Sequence, residues 1–458
     1  MSALEQSIPE GYKDTDSGII PNDWKVLKID DMSTKVGSGK TPTGGASVYV
    51  DSGRPFVRSQ NVGSGSLRLA DLTYITEETH STFTGSELKT DDVLLNITGA
   101  SIGRCALATP SVDGGNVNQH VCIIRVNKAK ATPYLIQTLI NSDSGQNQID
   151  SYQAGGNREG LNFSQVRSMQ FPLSNHIEEQ TAIANALSDV DALLTELEKL
   201  IAKKQAIKTA TMQQLLTGKN RLPQFAIYTE GEKEGQPKGT KTSELGEIPE
   251  DWEVQFLKDI SSMRGRIGWQ GLKQEEFTFN DQQPFLITGM NFKDGKIRWK
   301  EVYHIPEDRY EMDRNIQLKV GDILMTKDGT IGKLLFVDHI PKPYKATLNS
   351  HLLLFRPKLE SYVPKYLYYL MKTKLLDDHI ELHKSGSTFF GITQEAMGKL
   401  LALLPSNEEQ TAIATILSDM DSEIQTLEQR LAKTCQIKQG MMQELLTGRT
   451  RLPFKKDS

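Results

Sequence analysis

The sequence predicts an α+β protein with a pseudo-two-fold internal repeat, in which two globular α/β domains are separated by two long, antiparallel coiled-coil helices. Three observations predict this fold. The chain repeats itself at a fixed offset, each copy contains a long segment with the apolar spacing of a coiled coil, and each such segment follows a block of short strand-like runs. The length of 458 residues is enough for several domains.

The internal repeat is clearest in the helical segments. Residues 178–223 match residues 408–453 without a gap, with 26 identities in 46 positions. A second pair is "SGIIPNDWKV", from Ser17, and "LGEIPEDWEV", from Leu245. The blocks between these segments correspond only weakly, as in "NQHVCIIR" and "NSHLLLFR". Divergent blocks in a shared frame indicate one task that is done twice on two different targets.

The two repeated helices carry apolar residues at alternating spacings of three and four, which is typical of a coiled-coil seam. We predict that they pair antiparallel and form a rod that holds the two blocks at a fixed distance. The alternative is a pair of amphipathic helices that each pack on their own domain. The predicted helix-pairing residues are Leu187, Val190, Leu194, Leu197, Ile201, Leu417, Met420, Ile424, Leu427 and Leu431.

Each block between the repeated segments contains short β-like runs, then a helical stretch after a proline, then a glycine-rich turn. This order favours α+β domains over an alternating, doubly wound sheet. The predicted segments are an N-terminal segment at 1–24 that is repeated at 240–252, a first domain at 25–175, a central helix at 176–220, a linker and repeat segment at 221–252, a second domain at 253–405, a distal helix at 406–447 and a tail at 448–458.

Composition bounds the class of protein. The formal net charge is −5, but the two predicted domains carry +1 and +3, so any nucleic-acid contact must come from local patches. The N-terminus lacks the features of a signal peptide and no apolar run reaches the roughly 20 residues of a membrane span, which favours a cytoplasmic protein. Three cysteines show no metal-binding or disulfide spacing.

No catalytic set is visible. The stretch "KVGSGKTPTGG" contains GSGKT, but Thr34 stands where a phosphate-binding loop needs its first glycine, and Pro42 disfavours the helix that should follow. We therefore predict a glycine loop rather than an ATP site. Methyltransferase motifs are missing, and no metal-binding histidine cluster appears. His120 and His351 lie in apolar runs and are predicted to be core residues.

Two variable blocks and two repeated long helices resemble the specificity subunit of type I restriction–modification systems. "GSGKTPTGG" followed by "RPFVRSQNV" is similar to the opening of a target recognition domain, and "LLNITGASIGR", "NQHVCIIR" and "EEQTAIANALSDVDALL" are similar to other segments typical of that family. The resemblance covers essentially the whole chain. It implies a non-catalytic subunit with two target recognition domains, each of which reads one half of a split double-stranded DNA site.

The resemblance also implies the partners. The helices would set the spacer between the half-sites and dock two methyltransferase subunits, which bring S-adenosylmethionine and methylate adenine. Restriction subunits with translocase and nuclease activity, which use ATP and Mg²⁺, would join that complex. Two alternatives stay open: a fused methyltransferase or nuclease, and a structural adaptor that tethers two protein-binding domains without contacting DNA.

Loops on a rigid scaffold supply most recognition residues, and base reading favours arginine, asparagine and glutamine, while lysine contacts phosphate. The residues expected to contact DNA in the first domain are Lys40, Thr41, Arg58, Gln60, Asn61, Arg104, Asn157 and Arg158. Those expected in the second domain are Arg264, Arg266, Asn291, Lys293, Lys333, Lys384, Ser387 and Thr388.

Overall fold

A computed structural model describes residues 8–153, 160–266, 272–293, 295–386 and 390–454. The chain divides into two compact units. Unit 1 comprises residues 1–198 and 429–458, and unit 2 comprises residues 199–428. Each unit therefore contains one variable block together with part of each long helix. No helix among the described residues is long and apolar enough to cross a membrane.

The first half of the chain contains eleven described strands and six helices. The strands are β1 (Tyr12–Thr15), β2 (Gly18–Pro21), β3 (Trp24–Lys28), β4 (Ser33–Ser38), β5 (Arg54–Val57), β6 (Thr73–Ile75), β7 (Val93–Asn96), β8 (Cys105–Leu107), β9 (Asn116–Val117), β10 (Val121–Val126) and β11 (Gln170–Ser174). The helices are α1 (Ile29–Met32), α2 (Glu77–Ser81), α3 (Pro133–Asn141), α4 (Asp143–Gln153), α5 (Phe163–Ser168) and α6 (Ile177–Leu215).

The second half has a similar order of described elements. The strands are β12 (Thr240–Ser243), β13 (Gly246–Pro249), β14 (Glu253–Phe256), β15 (Ser261–Arg264), β16 (Phe285–Ile287), β17 (Phe292–Lys293), β18 (Lys296–Ile297), β19 (Tyr303–His304), β20 (Ile323–Thr326), β21 (Leu334–Phe336), β22 (Ala346–Leu348), β23 (Leu352–Pro357) and β24 (Leu401–Leu404). The helices are α7 (Leu257–Ile260), α8 (Glu307–Glu311), α9 (Pro364–Leu370), α10 (Lys374–His383), α11 (Gln394–Gly398) and α12 (Asn407–Leu445).

The repeat is visible in the sheets. Unit 1 has a four-stranded antiparallel sheet of order β4-β10-β7-β8 and a three-stranded sheet of order β6-β5-β9. Unit 2 has the same two sheets in the orders β15-β23-β20-β21 and β19-β16-β22. In both three-stranded sheets the central strand pairs parallel with the last one. The predicted α+β class and internal repeat are confirmed.

Both faces of each four-stranded sheet are covered, which explains why the strands are apolar throughout. In β7, Val93 and Leu95 belong to one buried cluster and Leu94 to another. The first cluster also contains apolar residues of α3 and of the start of α6. Burying each such side chain contributes about 1.5–3 kcal/mol to the free energy of folding. The sheet therefore forms a stable scaffold for the loops at its ends.

The long helices α6 and α12 have 39 residues each, hence about 58 Å of length. In unit 2, Lys204 contacts Glu423 at 2.7 Å and Lys208 contacts Asp421, so residue numbers rise along one helix as they fall along the other. In unit 1, Lys438 Nζ lies 2.5 Å from Asp191. The predicted antiparallel pairing is confirmed, and all ten predicted helix-pairing residues are buried or half-buried.

One arrangement of four residues occurs in both units and joins the ends of the repeated segments; we call it the clasp. In unit 2, Arg221 donates to Glu409 Oε2 at 2.6 Å and to both oxygens of Asp251 at 2.8 and 3.0 Å, while Trp252 Nε1 donates to Glu409 at 3.2 Å. Glu409 is only 1% exposed. Burial alone would raise the pKa of Asp251, but hydrogen bonds from Lys238 and Arg221 hold it below its usual value.

The clasp of unit 1 consists of Glu179, Arg451, Asp23 and Trp24. Arg451 Nη2 donates to Glu179 at 2.8 Å and to Asp23 at 2.8 Å, and Trp24 Nε1 donates to Glu179 at 3.3 Å. The hydrogen bond from Arg451 also holds the pKa of Asp23 below its usual value. The two strongest sequence repeats are therefore the segments that build the two clasps.

A glycine precedes each clasp arginine by three positions and has a left-handed backbone conformation that other residues rarely adopt. Gly218 and Gly448 have φ of +68° and +70°. A Cβ atom at either residue would lie 2.5 Å from a ring carbon of Pro249 or Pro21, respectively. Only glycine tolerates both the left-handed backbone and this close approach, so the chain can turn back from the helix towards the proline.

We expect Arg221→Met to lower the free energy of unfolding of the full chain by about 3 kcal/mol, because Glu409 stays buried without its charged partner. Urea unfolding measures this loss. The control is Lys128→Met, which breaks an exposed ion pair with Asp91 and should change the free energy by less than about 0.5 kcal/mol. Equal, small effects of both substitutions would contradict the structural role of the clasp.

Candidate nucleic-acid interface

Four loops of unit 1 meet beside the ends of β5 and β9, at residues 39–41, 58–61, 96–104 and 118–120; we call this surface edge 1. The Asn118 N–H donates to the Val57 carbonyl at 3.2 Å. The Asn96 amide donates to the Ser59 carbonyl at 2.9 Å. At Gly39 a Cβ atom would lie 1.7 Å from the Val117 carbonyl oxygen, so only glycine lets this loop approach the others.

A hydrogen-bonded row of polar side chains crosses edge 1. Thr41 Oγ1 donates to Gln119 Oε1, and Gln119 Nε2 lies 3.0 Å from His120 Nε2. His120 Nδ1 lies 2.5 Å from Thr98 Oγ1. Because the glutamine amide donates to Nε2, the neutral imidazole carries its proton on Nδ1 and donates it to Thr98. The row therefore fixes the orientation of each group in it.

The corresponding loops of unit 2 form edge 2, at residues 264–266, 288–291, 326–333, 349–351, 384–386 and 390–391. The Asn349 N–H donates to the Ile287 carbonyl at 3.0 Å, which repeats the contact of Asn118 in unit 1. The Lys327 N–H donates to the His351 carbonyl at 2.9 Å. His351 Nδ1 lies 3.2 Å from Asp328 Oδ2. The same loops therefore meet in both units, although their side chains differ.

Edge 1 contains several of the residues that the sequence predicts to contact DNA. Lys40, Thr41 and Gln60 are exposed there. Arg58 is half-buried and donates to the Asp71 carbonyl at 3.2 Å, and Arg104 is half-buried in the loop 96–104.

The prediction for Asn61 is wrong. Asn61 is buried, and its Oδ1 accepts the Arg58 N–H at 3.0 Å while its Nδ2 donates to the Arg68 carbonyl at 3.0 Å. The buried side chain holds its own turn and is not accessible to a base. Asn157 and Arg158 lie outside the described residues.

Edge 2 contains exposed Arg264 and Lys333, and Lys384, whose Nζ contacts Glu381 at 2.8 Å. Lys293 lies in strand β17. Ser387 and Thr388 lie outside the described residues.

Two predictions for edge 2 are wrong. Arg266 is 3% exposed, and its guanidinium donates to the Leu348 carbonyl at 3.0 Å and to Thr347 Oγ1 at 3.2 Å, so it braces strand β22 from inside. Burial lowers the pKa of Arg266. Asn291 is buried and accepts the Thr288 N–H at 2.8 Å. This bond is equivalent to the one that Asn61 accepts from the residue three positions earlier in unit 1.

Sequence reasoning missed the residues that follow Asn118 and Asn349. The His351 side chain is 58% exposed and His120 is half-buried, so the prediction of core histidines is wrong for His351. The strands β10 and β23 begin only at Val121 and Leu352, one residue after each histidine. The repeated pattern Asn-x-His could have indicated a turn at this point in both units. In each unit the asparagine side chain accepts the histidine N–H, at 3.1–3.2 Å.

The GSGKT stretch lacks the helix of a phosphate-binding loop. It begins in the last two residues of β4 and is followed by a 3-10 turn, Gly45–Val48, rather than by an α-helix that could receive phosphate. Within the described ranges, no group of three or more histidine, cysteine, aspartate or glutamate residues could hold a metal ion.

We expect Asn61→Ala to lower the free energy of unfolding by about 1–3 kcal/mol, because it leaves the Arg58 N–H and the Arg68 carbonyl without their partner. Gln60→Ala, the neighbouring substitution of an exposed side chain, should change it by less than about 0.5 kcal/mol. Chemical denaturation of the two variants measures the difference. A harmless Asn61→Ala substitution would contradict the structural role assigned to this side chain.

The family described as "Type I restriction modification DNA specificity domain" matches the chain twice, at residues 21–209 and 249–434. The chain is 26% identical to the type I restriction enzyme MjaVIII specificity subunit of Methanocaldococcus jannaschii, over 97% of this chain and 96% of that protein. It is 33% identical to the putative MjaX specificity subunit of the same organism, over 45% of this chain and 48% of that protein.

Solved structures show the same fold. A crystal structure of the type I restriction–modification S subunit from M. genitalium aligns with a TM-score of 0.58 and 13% identity, over 95% of this chain and 97% of that one. A chain from a study of complex assembly and conformational transition of the type I R-M system aligns with a TM-score of 0.51 and 17% identity, over 94% and 99%. Since the family matches both repeats, the chain belongs to the DNA specificity family of type I restriction–modification systems and is a non-catalytic specificity subunit.

Proposed function

We propose that the two units read the two halves of a bipartite DNA site, through edge 1 in a recognition domain at 25–175 and through edge 2 in a recognition domain at 253–405. One observation carries this proposal: the two edges are built from equivalent strands and turns but present different side chains. Edge 1 presents Thr41, Gln60 and Gln119, and edge 2 presents Arg264, Met290 and Asp328, while an equivalent histidine, His120 or His351, lies on each edge.

The chemistry of these side chains suits base edges in the major groove. Glutamine can pair in a bidentate manner with adenine, arginine with guanine, and aspartate can accept from cytosine. The row from Thr41 to Thr98 supports this role, because hydrogen bonds within the row hold Gln119 and His120 before DNA arrives. Phosphate contacts would come from exposed Lys40 and Lys333, which position the duplex without reading it.

We infer that the paired helices set the spacer between the half-sites and dock two methyltransferase subunits. A rigid spacer converts into unread DNA at about 3.4 Å per base pair. Exposed apolar residues on the helices support docking: Leu200 and Ile207 lie one heptad apart on α6, and Ile437 of α12 occupies the same repeat position as Ile207.

The chemistry of the system would then lie in the partner subunits. The methyltransferase subunits would bind S-adenosylmethionine and methylate adenine, and restriction subunits would use ATP and Mg²⁺ to translocate and cut DNA. The whole complex would act on DNA in the cytoplasm. In this arrangement the specificity subunit only selects the site.

The test is to produce the chain together with its cognate methyltransferase subunit in a host without other modification systems and to sequence the host DNA for modified bases. We expect a single motif, with two short half-sites around an unread gap of fixed length. A continuous motif would mean that only one unit reads DNA, and a stable complex without any modification would favour the adaptor without DNA contacts.

A further inference from the structure

The loop after the central strand of each three-stranded sheet has the same architecture in both units. In unit 1 it is the 3-10 turn Ser59–Asn61 after β5, and in unit 2 it is the 3-10 turn Gly289–Asn291 after β16. Both turns end on a buried asparagine that accepts the backbone N–H three residues earlier, at 3.0 Å in unit 1 and 2.8 Å in unit 2. We call this asparagine the strut.

Further hydrogen bonds hold each turn. In unit 1, Asn96 Nδ2 donates to the Ser59 carbonyl, and the Arg68 N–H donates to the Asn61 carbonyl at 2.7 Å. In unit 2, Thr288 Oγ1 donates to the strut Oδ1 at 3.0 Å. A turn fixed in this way presents the residue before the strut in a defined position.

The residue before the strut is Gln60 in unit 1 and Met290 in unit 2, and both are exposed. Met290 is 72% exposed, which is unusual for a residue type that is normally buried. The Gln60 side chain is exposed, and its amide forms no hydrogen bond with another described residue. The strut is therefore the same in both units while the presented side chain differs in chemistry.

We propose that Gln60 and Met290 are specificity-determining residues at equivalent positions of the two edges. Gln60 reads an adenine in the first half-site, because a free carboxamide can both donate to and accept from the N6/N7 edge of adenine. Met290 reads a thymine in the second half-site, because its side chain offers only apolar contact and the thymine methyl is the apolar group of the major groove. This inference rests on the proposed reading of one half-site by each unit.

The position of each turn supports the proposal. The turn of Gln60 contacts the loop 96–104 of edge 1 through Asn96, and β5, the strand that leads into the turn, accepts the Asn118 N–H at the Val57 carbonyl. The turn of Met290 adjoins β20 and the loop 349–351 of edge 2, because Gly289 faces Thr326 and Ile287 bonds with Asn349. Each turn therefore lies beside other loops of its edge.

The test compares the modified-base motif of the wild-type complex with those of Gln60→Ala, Gln60→Asn and Met290→Gln, each produced with the cognate methyltransferase subunit. We expect Gln60→Ala to lower discrimination at one A·T pair of the first half-site about tenfold or more and to leave the second half-site unchanged. Met290→Gln should shift one thymine position of the second half-site towards adenine and leave the first unchanged. The control is Met312→Gln, an exposed methionine outside edge 2.

A wild-type motif that is not split would refute the proposed function itself. A split wild-type motif that both Gln60→Ala and Met290→Gln leave unaltered would overturn only this inference. If a variant gives no modification, competition binding measures its base preferences instead. The complex of the variant is tested against duplexes that carry each base at each position. Preferences equal to the wild type at every position would then overturn the inference.

Discussion

The frame of this molecule depends on the clasp, an arginine held between a buried glutamate at the start of a long helix and an aspartate of the tryptophan-bearing segment. The glutamates are 0% and 1% exposed, so each needs its arginine, its tryptophan and good geometry at once. The arginine comes from the chain just past the end of the other long helix, since Arg451 follows α12 and Arg221 follows α6. The clasp thus ties the start of each long helix to the end of the other.

The clasp residues lie outside both variable blocks, which has a consequence for function. Asp23 and Trp24 precede the first block, and Asp251 and Trp252 precede the second. None of the loops of edges 1 and 2 supplies a residue of either clasp. Side chains such as Gln60 and Met290 can therefore change without loss of the interactions that hold each unit together. We infer that this separation lets a specificity subunit acquire a new target.

The sequence predicts the frame well, because the frame is local and periodic. Alternating spacings of three and four residues indicate the seam, and 26 identities over 46 positions indicate the repeat. The individual reading residues are harder to predict, because a polar residue in a loop can face either solvent or its own backbone. Asn61, Asn291 and Arg266 have the right chemistry for bases, but all three are buried and bond to a tight turn or a neighbouring strand. For His351 the error is the reverse. Its apolar neighbours predict a core position, but the strand begins one residue later, at Leu352, and the histidine is exposed.

We propose that a constant frame carries two independent reading edges. The decisive experiment replaces residues 25–175 with the corresponding block of another family member and sequences the modified bases of host DNA. We expect one half-site to change while the other half-site and the gap between them stay the same, because both clasps and both helices are retained. A change in both half-sites, or in the gap, would show that the two edges are not independent.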